Sequence, residues 1–276
     1  MKVWRLLSFR HFNAFENMAI DEAIFRENQR REVPPTLRFY GWQLPTVSIG
    51  HFQDARKEVA VESCRRCGID IVRRPTGGKA VFHDKDLTYA VFARENCPFF
   101  SPDILGTYRV ISSCIAKGLS MLGIKAEIAH EGRSSQENRL KTFCFSSPSR
   151  YELLVEGRKI CGSAQVRSRG AFLQHGSLLI NFDPFKTCAV MLPHYQKWQI
   201  ERMGRSVTSI HDHVISPIDI AMLCEVLREG FKKVLDVRFV EQDLTPEEEE
   251  LKTRLLRNKY LTDGWNMEGK VRVNES

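Results

Sequence analysis

The chain has 276 residues, 42% of them hydrophobic and 27% charged, which is ordinary for a globular enzyme with one large core. No apolar run reaches the length of a membrane span, and the opening MKVWRLLSFRHF is interrupted by Arg5, Arg10 and His11, a poor signal peptide that points to the cytoplasm. The net charge of +7 is dispersed in short pairs such as Arg65-Arg66, Arg73-Arg74 and Lys232-Lys233; it makes no nucleic-acid stripe and fits a mildly biased surface or acidic protein partners.

In chain order, the first helix is expected to begin at Asn13, a capping residue followed three positions later by Glu16. Phe15, Met18, Ala19 and Ala23 then share one helical face. Strand-like segments follow at Thr36 to Trp42, Thr46 to Gly50, Ile69 to Arg73, Ala80 to Phe82 and Leu87 to Ala93. Ser101-Pro102 opens a second helix whose stripe is Ile104, Tyr108, Ile111, Ile115 and Leu122, and Gly123 ends it. Lys125 to Ala129 reads as a short strand and His130 to Lys141 as a mobile surface loop.

A meander comes next. Tyr151 to Val155, Arg158 to Val166 and Ala171 to Asn181 are strands joined by tight turns at Glu156-Gly157 and Arg169-Gly170. Ser216-Pro217 opens a third long helix with Ile220, Leu223, Leu227 and Phe231 on one face. Thr245-Pro246 caps a last helix that begins with four glutamates, favourable at a positive helix end. Mixed strands and helices with hairpins predict an α+β fold with a mixed or antiparallel sheet flanked by helices.

Eight cysteines, at positions 64, 67, 97, 114, 144, 161, 188 and 224, follow no secreted-domain spacing and read as reduced thiols. Cys64-Arg65-Arg66-Cys67 lacks the second pair that a zinc site needs, so no metal is expected. Cys114 and Cys224 fall on or beside apolar helix faces.

Three segments hold residues that mere packing would not select. In Arg73-Arg74-Pro75-Thr76-Gly77-Gly78-Lys79-Ala80-Val81-Phe82-His83-Asp84, two glycines allow close backbone approach and the cations supply charge; a glycine hairpin with exposed charges fits equally. In Gly157-Arg158-Lys159-Ile160-Cys161-Gly162-Ser163-Ala164-Gln165, Lys159 stands beside a floor of small residues, or is an edge-strand lysine. Gln174-His175-Gly176-Ser177 precedes an apolar strand, and its histidine is structural or catalytic.

Together, in order and spacing, these segments resemble the lipoate-protein ligase and octanoyltransferase family. Its RRxxGGxAVxHD loop, KxxGSA strand and HGSLL strand surround an acyl tunnel. The resemblance extends from about Val3 to Ser209. Phe143-Cys144-Phe145, ahead of Pro148-Ser149-Arg150-Tyr151-Glu152-Leu153, is similar to the cysteine loop of the family's octanoyltransferases, which the ATP-using ligases lack.

The resemblance implies a catalytic module shared with biotin-protein ligases over residues 1–240, with 241–276 as a short helical C-terminal extension. It implies Cys144 as nucleophile and Lys159 as its electrostatic partner, with Cys161 the one rival thiol and Tyr151 and Glu152 serving the strand. Arg73, Gly77, Gly78 and His83 are then expected to line the acyl and thioester end. Gly162, Ser163, Ala164, His175 and Gly176 form the opposite wall.

The activity implied is octanoyl transfer from acyl carrier protein to a lysine of a lipoyl domain, such as the glycine cleavage H protein. That is the first step of protein lipoylation, and it needs neither ATP nor metal. The alternatives are an ATP-dependent lipoate or octanoate ligase, and an amidotransferase between lipoyl domains. A non-catalytic acyl-binding protein would need neither Cys144 nor Lys159.

Overall fold

The computed structural model describes residues 2–129, 152–192 and 195–270. The 130–141 stretch, Cys144 and Tyr151 lie outside the described residues.

The chain opens with β1 (Lys2–Phe12), α1 (Ala14–Arg30), β2 (Thr36–Trp42) and β3 (Thr46–Ile49), followed by the short helices α2 (Ala55–Glu58) and α3 (Val61–Arg66). Next come β4 (Asp70–Arg73), β5 (Val81–His83), β6 (Asp86–Arg94), α4 (Ile104–Ser120) and β7 (Glu127–Ile128). The meander is β8 (Leu153–Val155), β9 (Arg158–Ser168) and β10 (Ala171–Leu179), then α5 (Pro184–Met191) and α6 (Lys197–Ser206). The chain continues with α7 (Ile220–Leu235), β11 (Val237–Glu241), α8 (Pro246–Leu255) and α9 (Asp263–Glu268).

Eight strands form one mixed sheet in the order β11-β1-β2-β6-β10-β9-β8-β7, and β4-β3-β5 form a second, smaller sheet. β1 runs parallel to β11 and β2, while β2, β6, β10, β9 and β8 alternate antiparallel. The α+β architecture with a mixed sheet flanked by helices is therefore the one expected. Among the described residues, no helix is long and apolar enough to cross a membrane.

β6 is buried from Asp86 to Ala93, because helices cover both faces of the large sheet. Strand alternation sends Leu87, Tyr89 and Val91 into the core that α4 and α7 close, and Ala90 and Phe92 into the core closed by α1 and α8. Residues 246–260 and 263–268 are helical and share that second core: Leu251, Leu255, Tyr260 and Trp265 pack with Met18 and Ile24. Lys259 Nζ donates to Glu22 at 2.7 Å, and the Tyr260 hydroxyl donates to the same carboxylate. The C-terminal extension is thus an integral layer over α1.

Asn13 caps α1, accepting from the Glu16 amide at 2.8 Å while its side-chain amide donates to the Glu16 carboxylate. Two helix starts differ from the expected Ser-Pro sites. α4 is capped by Asp103, which accepts from the Gly106 amide, and α7 by Asp219, which accepts from the Ala221 amide. In each case a carboxylate one or two residues past the Ser-Pro pair captures the free amides. Ile104 consequently sits in the first turn of α4 at 49% exposure. The turns at Glu156-Gly157 and Arg169-Gly170 have φ of 52° and 73°, and of 50° and 73°, the left-handed pairs that suit two-residue hairpins.

Candidate active site

A narrow cleft lies between the α1 side of the large sheet and the small sheet. Gly78 and His83 line it from the small-sheet side, and Gly162, Ser163, Ala164, His175 and Gly176 line it from β9 and β10. β9 and β10 pair antiparallel with Gly162 opposite Ser177, Ser163 opposite Gly176 and Ala164 opposite His175. The two motifs therefore meet across one ladder. Met18, Tyr40, Trp42, Ser48, Arg74, Lys79, Val81, Thr88 and Ser177 complete the walls.

The adjacent arginines diverge, and this corrects the expected role of Arg73. Its side chain turns away from the cleft into a cage of backbone carbonyls: Gly50 at 3.1 Å, His51 at 2.8 Å, Gln53 at 2.7 Å and Trp265 at 2.8 Å. Arg74 is the one that lines the cleft. It donates to the Ser48 carbonyl at 2.8 Å, the Ser48 hydroxyl at 2.7 Å, the Gly77 carbonyl at 3.1 Å and the Lys79 carbonyl at 2.9 Å. Neighbours on an extended backbone point to opposite sides, so a double arginine cannot send both to one place. Gly77 contributes its carbonyl to Arg74 and is not among the lining residues. A Cβ on Gly50 would fall 1.9 Å from the Gly78 carbonyl oxygen, so only glycine lets the loop after β3 lie against the glycine loop.

Two histidine–carboxylate pairs flank the cleft. His175 Nδ1 lies 3.1 Å from Asp21 Oδ2, and its Nε2 lies 2.7 Å from the Thr76 hydroxyl. Arg38 at 2.5 Å and the Tyr40 hydroxyl at 2.9 Å also bind Asp21. Burial pushes the Asp21 carboxyl up, but Arg38 and His175 together outweigh it and hold the group below its usual range. Burial is also the largest influence on His175 and keeps it below 6.5 despite Asp21.

The unfolded chain therefore takes up a proton at His175 before the folded one does. The stability this site contributes is complete above 6.5 and is lost as pH falls through the lowered value. The melting temperature should drop more steeply just below pH 6.5 in the native protein than in His175→Gln. Parallel slopes in calorimetry would contradict this.

On the other side, His83 Nδ1 is 2.8 Å from Asp86 Oδ2 and its Nε2 is 2.8 Å from the Ser48 hydroxyl. Ser177 and Thr88 donate to the same Asp86 oxygen at 2.7 and 3.2 Å. Trp42 stacks on the imidazole with ring centroids 4.2 Å apart.

Lys159 is not an edge-strand lysine. β9 lies between β10 and β8, and Lys159 is 1% exposed. Its Nζ donates to Glu152 Oε1 at 2.6 Å. The segment at Val207 is bridged to Lys159, and the Thr208 amide donates to the Lys159 carbonyl at 2.9 Å. Glu152, read from sequence as a strand residue, is thus the carboxylate partner of Lys159. Cys161, the rival thiol, is buried, and burial pushes it up to about 12 although Lys159 pulls it down, so it holds its proton at neutral pH. Cys144 lies outside the described residues.

Sequence reasoning missed Asp21, Ser48, Asp86 and Glu152 as site groups. The Asp86 carboxylate, three residues after His83, carries the one local signal, since a histidine that is to be oriented needs an acceptor. The others join the site only through sheet pairing and helix packing.

A model of the lipoyl protein ligase A/B catalytic domain matches residues 13–232. An octanoyltransferase LipM of Kyrpidia tusciae is 43% identical over 273 residues, covering 96% of this chain and 99% of that protein. The octanoyltransferase LipM of Bacillus subtilis is 36% identical over 273 residues, covering 96% and 98%. Among solved structures, the bi-partite lipoate protein ligase of Thermoplasma acidophilum superposes with a TM-score of 0.81 at 29% identity, covering 97% of this chain and 96% of that one. A lipoate-protein ligase A bound with ATP gives 0.80 at 30% identity, covering 97% and 99%. With the family model spanning most of its length, this chain belongs to the lipoyl protein ligase A/B catalytic-domain family.

Proposed function

We propose that this chain is an octanoyltransferase of lipoyl assembly, moving octanoyl from acyl carrier protein to a lysine of a lipoyl domain through a thioester on Cys144. The observation that carries this reading is the near-full-length identity of 36–43% to octanoyltransferases LipM. The carrier thioester is already activated. The Cys144 thiolate displaces the carrier thiol, and the acceptor amine then displaces Cys144 to give an amide. No step in that sequence consumes ATP.

The chemistry needs a cation near the thiolate and the developing oxyanion, and Lys159, buried and steered by Glu152, has that character. Asp21, Asp86 and Arg74 brace the cleft walls. A lipoyl domain of the glycine cleavage H protein is the acceptor we favour. The fold shared with a ligase bound with ATP keeps an ATP-dependent ligase as the second reading.

Intact-protein mass spectrometry separates the two. Octanoyl carrier protein alone should add one hydroxylamine-labile octanoyl group, mapped to the Cys144 peptide. An adduct that persists in Cys144→Ala, or robust ATP-dependent use of free octanoate, would overturn the thioester reading.

A further inference from the structure

We infer that His83, held by Asp86, is the base that takes the proton from the incoming lysine ammonium, which gives the small-sheet wall a role in the second half of the reaction. This rests on the transfer reading above. A lysine side chain has a pKa of about 10.4, so at neutral pH almost all of it is ammonium and has no lone pair to attack a thioester. The donor half of the reaction does not share this requirement. A base that serves the acceptor alone is therefore expected somewhere in the cleft.

The proton positions around His83 follow from its partners. Asp86 Oδ2 already accepts from Ser177 and Thr88 and sits 2.8 Å from His83 Nδ1, so Nδ1 carries a hydrogen and donates. Nε2 then holds the lone pair. Arg74 can only donate, and it donates to the Ser48 hydroxyl at 2.7 Å. That hydroxyl, 2.8 Å from Nε2, must therefore turn its own hydrogen toward the ring. A serine rotor is a replaceable donor, and both His83 and Ser48 line the cleft.

When the ammonium arrives, the hydroxyl rotates away and an N–H of the ammonium takes its place. Its proton moves to Nε2, and the N–H electron pair becomes the nucleophile. The amine attacks the thioester carbonyl carbon, the C–S bond breaks, and the second nitrogen proton passes to the departing sulfur, leaving a neutral amide and the free thiol. The imidazolium is stabilised by Asp86 and by the Trp42 face stacked on it.

The other charged and titratable groups lining the cleft are Arg74, Lys79 and His175, and the His83 charge acts on His175. Tyr40 and Cys161 both feel the Asp86 charge and titrate far above neutrality. Asp86 Oδ1 is buried and, among the described residues, makes no hydrogen bond, so the carboxylate keeps capacity to respond when the ring becomes charged.

The test separates the two half-reactions. Acylation is followed by mass spectrometry with octanoyl carrier protein alone, and transfer by adding an apo lipoyl domain to the acylated enzyme. His83→Gln, which keeps size and hydrogen-bonding capacity, should lose far more in transfer than in acylation. Its transfer step should fall on the order of a hundredfold at pH 7. That deficit should shrink about tenfold per pH unit toward pH 9, as the lysine loses its proton unaided.

Asp86→Asn should show the same split more weakly. Equal losses in both halves, or a transfer defect that does not respond to pH, would overturn the assignment. If the native protein forms no cysteine adduct, the transfer reading itself fails, whatever His83 does.

Discussion

Lys159→Ala is expected to reduce turnover on the order of a hundredfold or more, the usual cost of removing one preorganised group that stabilises a developing oxyanion. The structure adds a complication. Glu152 lies 2.6 Å from Lys159 Nζ, and both side chains are buried, so deleting the lysine strands a carboxylate in a dry site. Breaking such a pair from one side costs about 3–5 kcal/mol of stability, and a folding defect could pass for a catalytic one.

The double variant Lys159→Met with Glu152→Gln removes both charges and should recover much of the stability without recovering activity. Lys159→Arg keeps the charge but changes reach and shape, and should remain badly impaired. Single-turnover acylation and the alkylation rate of Cys144 against pH are the measurements. An unchanged thiol pKa together with near-normal acylation in a folded Lys159→Ala would leave Lys159 a structural residue.

The second large effect is one of stability and falls on Arg73. Its guanidinium donates to carbonyls of two separate segments, Gly50 to Gln53 and Trp265 to Met267, while Trp265 Nε1 donates back to the Arg73 carbonyl. Removing it leaves several buried carbonyls without donors, each costing about 1–3 kcal/mol if water cannot replace the arginine. Arg73→Met should therefore lose at least about 3 kcal/mol, which lowers the melting temperature of a chain this size by roughly 6–12 °C.

Arg73→Lys should rescue little, because one ammonium with three donors cannot serve a fork of carbonyls. A thermal shift in Arg73→Met of less than about 2 °C would show that the cage contributes little. Because the next residue, Arg74, forms the wall of the cleft, displacement of this cage should also lower activity through loop position. That link makes the C-terminal helices part of the catalytic scaffold even though they contribute no lining residue.

Much of this molecule is decided locally. Asn13 and Glu16 start α1, Thr245 and Glu248 start α8, and the Glu156-Gly157 and Arg169-Gly170 pairs set the meander, because caps and two-residue turns depend on a few adjacent residues. The three motifs likewise stand in the sequence as the chemistry of their residue types. Other features depended on partners far away in the chain. β1 and β11 pair in parallel across more than two hundred residues, and β1 carries a buried Arg5 that meets Glu248 at 2.6 Å, so neither strand shows a clean alternation.

Arg73 and Arg74 are indistinguishable as letters. Only the packing of α9 beneath β4 decided that the first holds the scaffold and the second faces the cleft. The partners of the functional side chains were settled in the same way: Glu152 for Lys159, Asp21 for His175, and Ser48 for His83. A hydrogen bond between residues 154 positions apart, as from His175 to Asp21, leaves no mark on either local sequence. The sequence by itself therefore determined which chemistry the chain carries, and the tertiary structure decided which side chains perform it, because charge pairing and burial act through space.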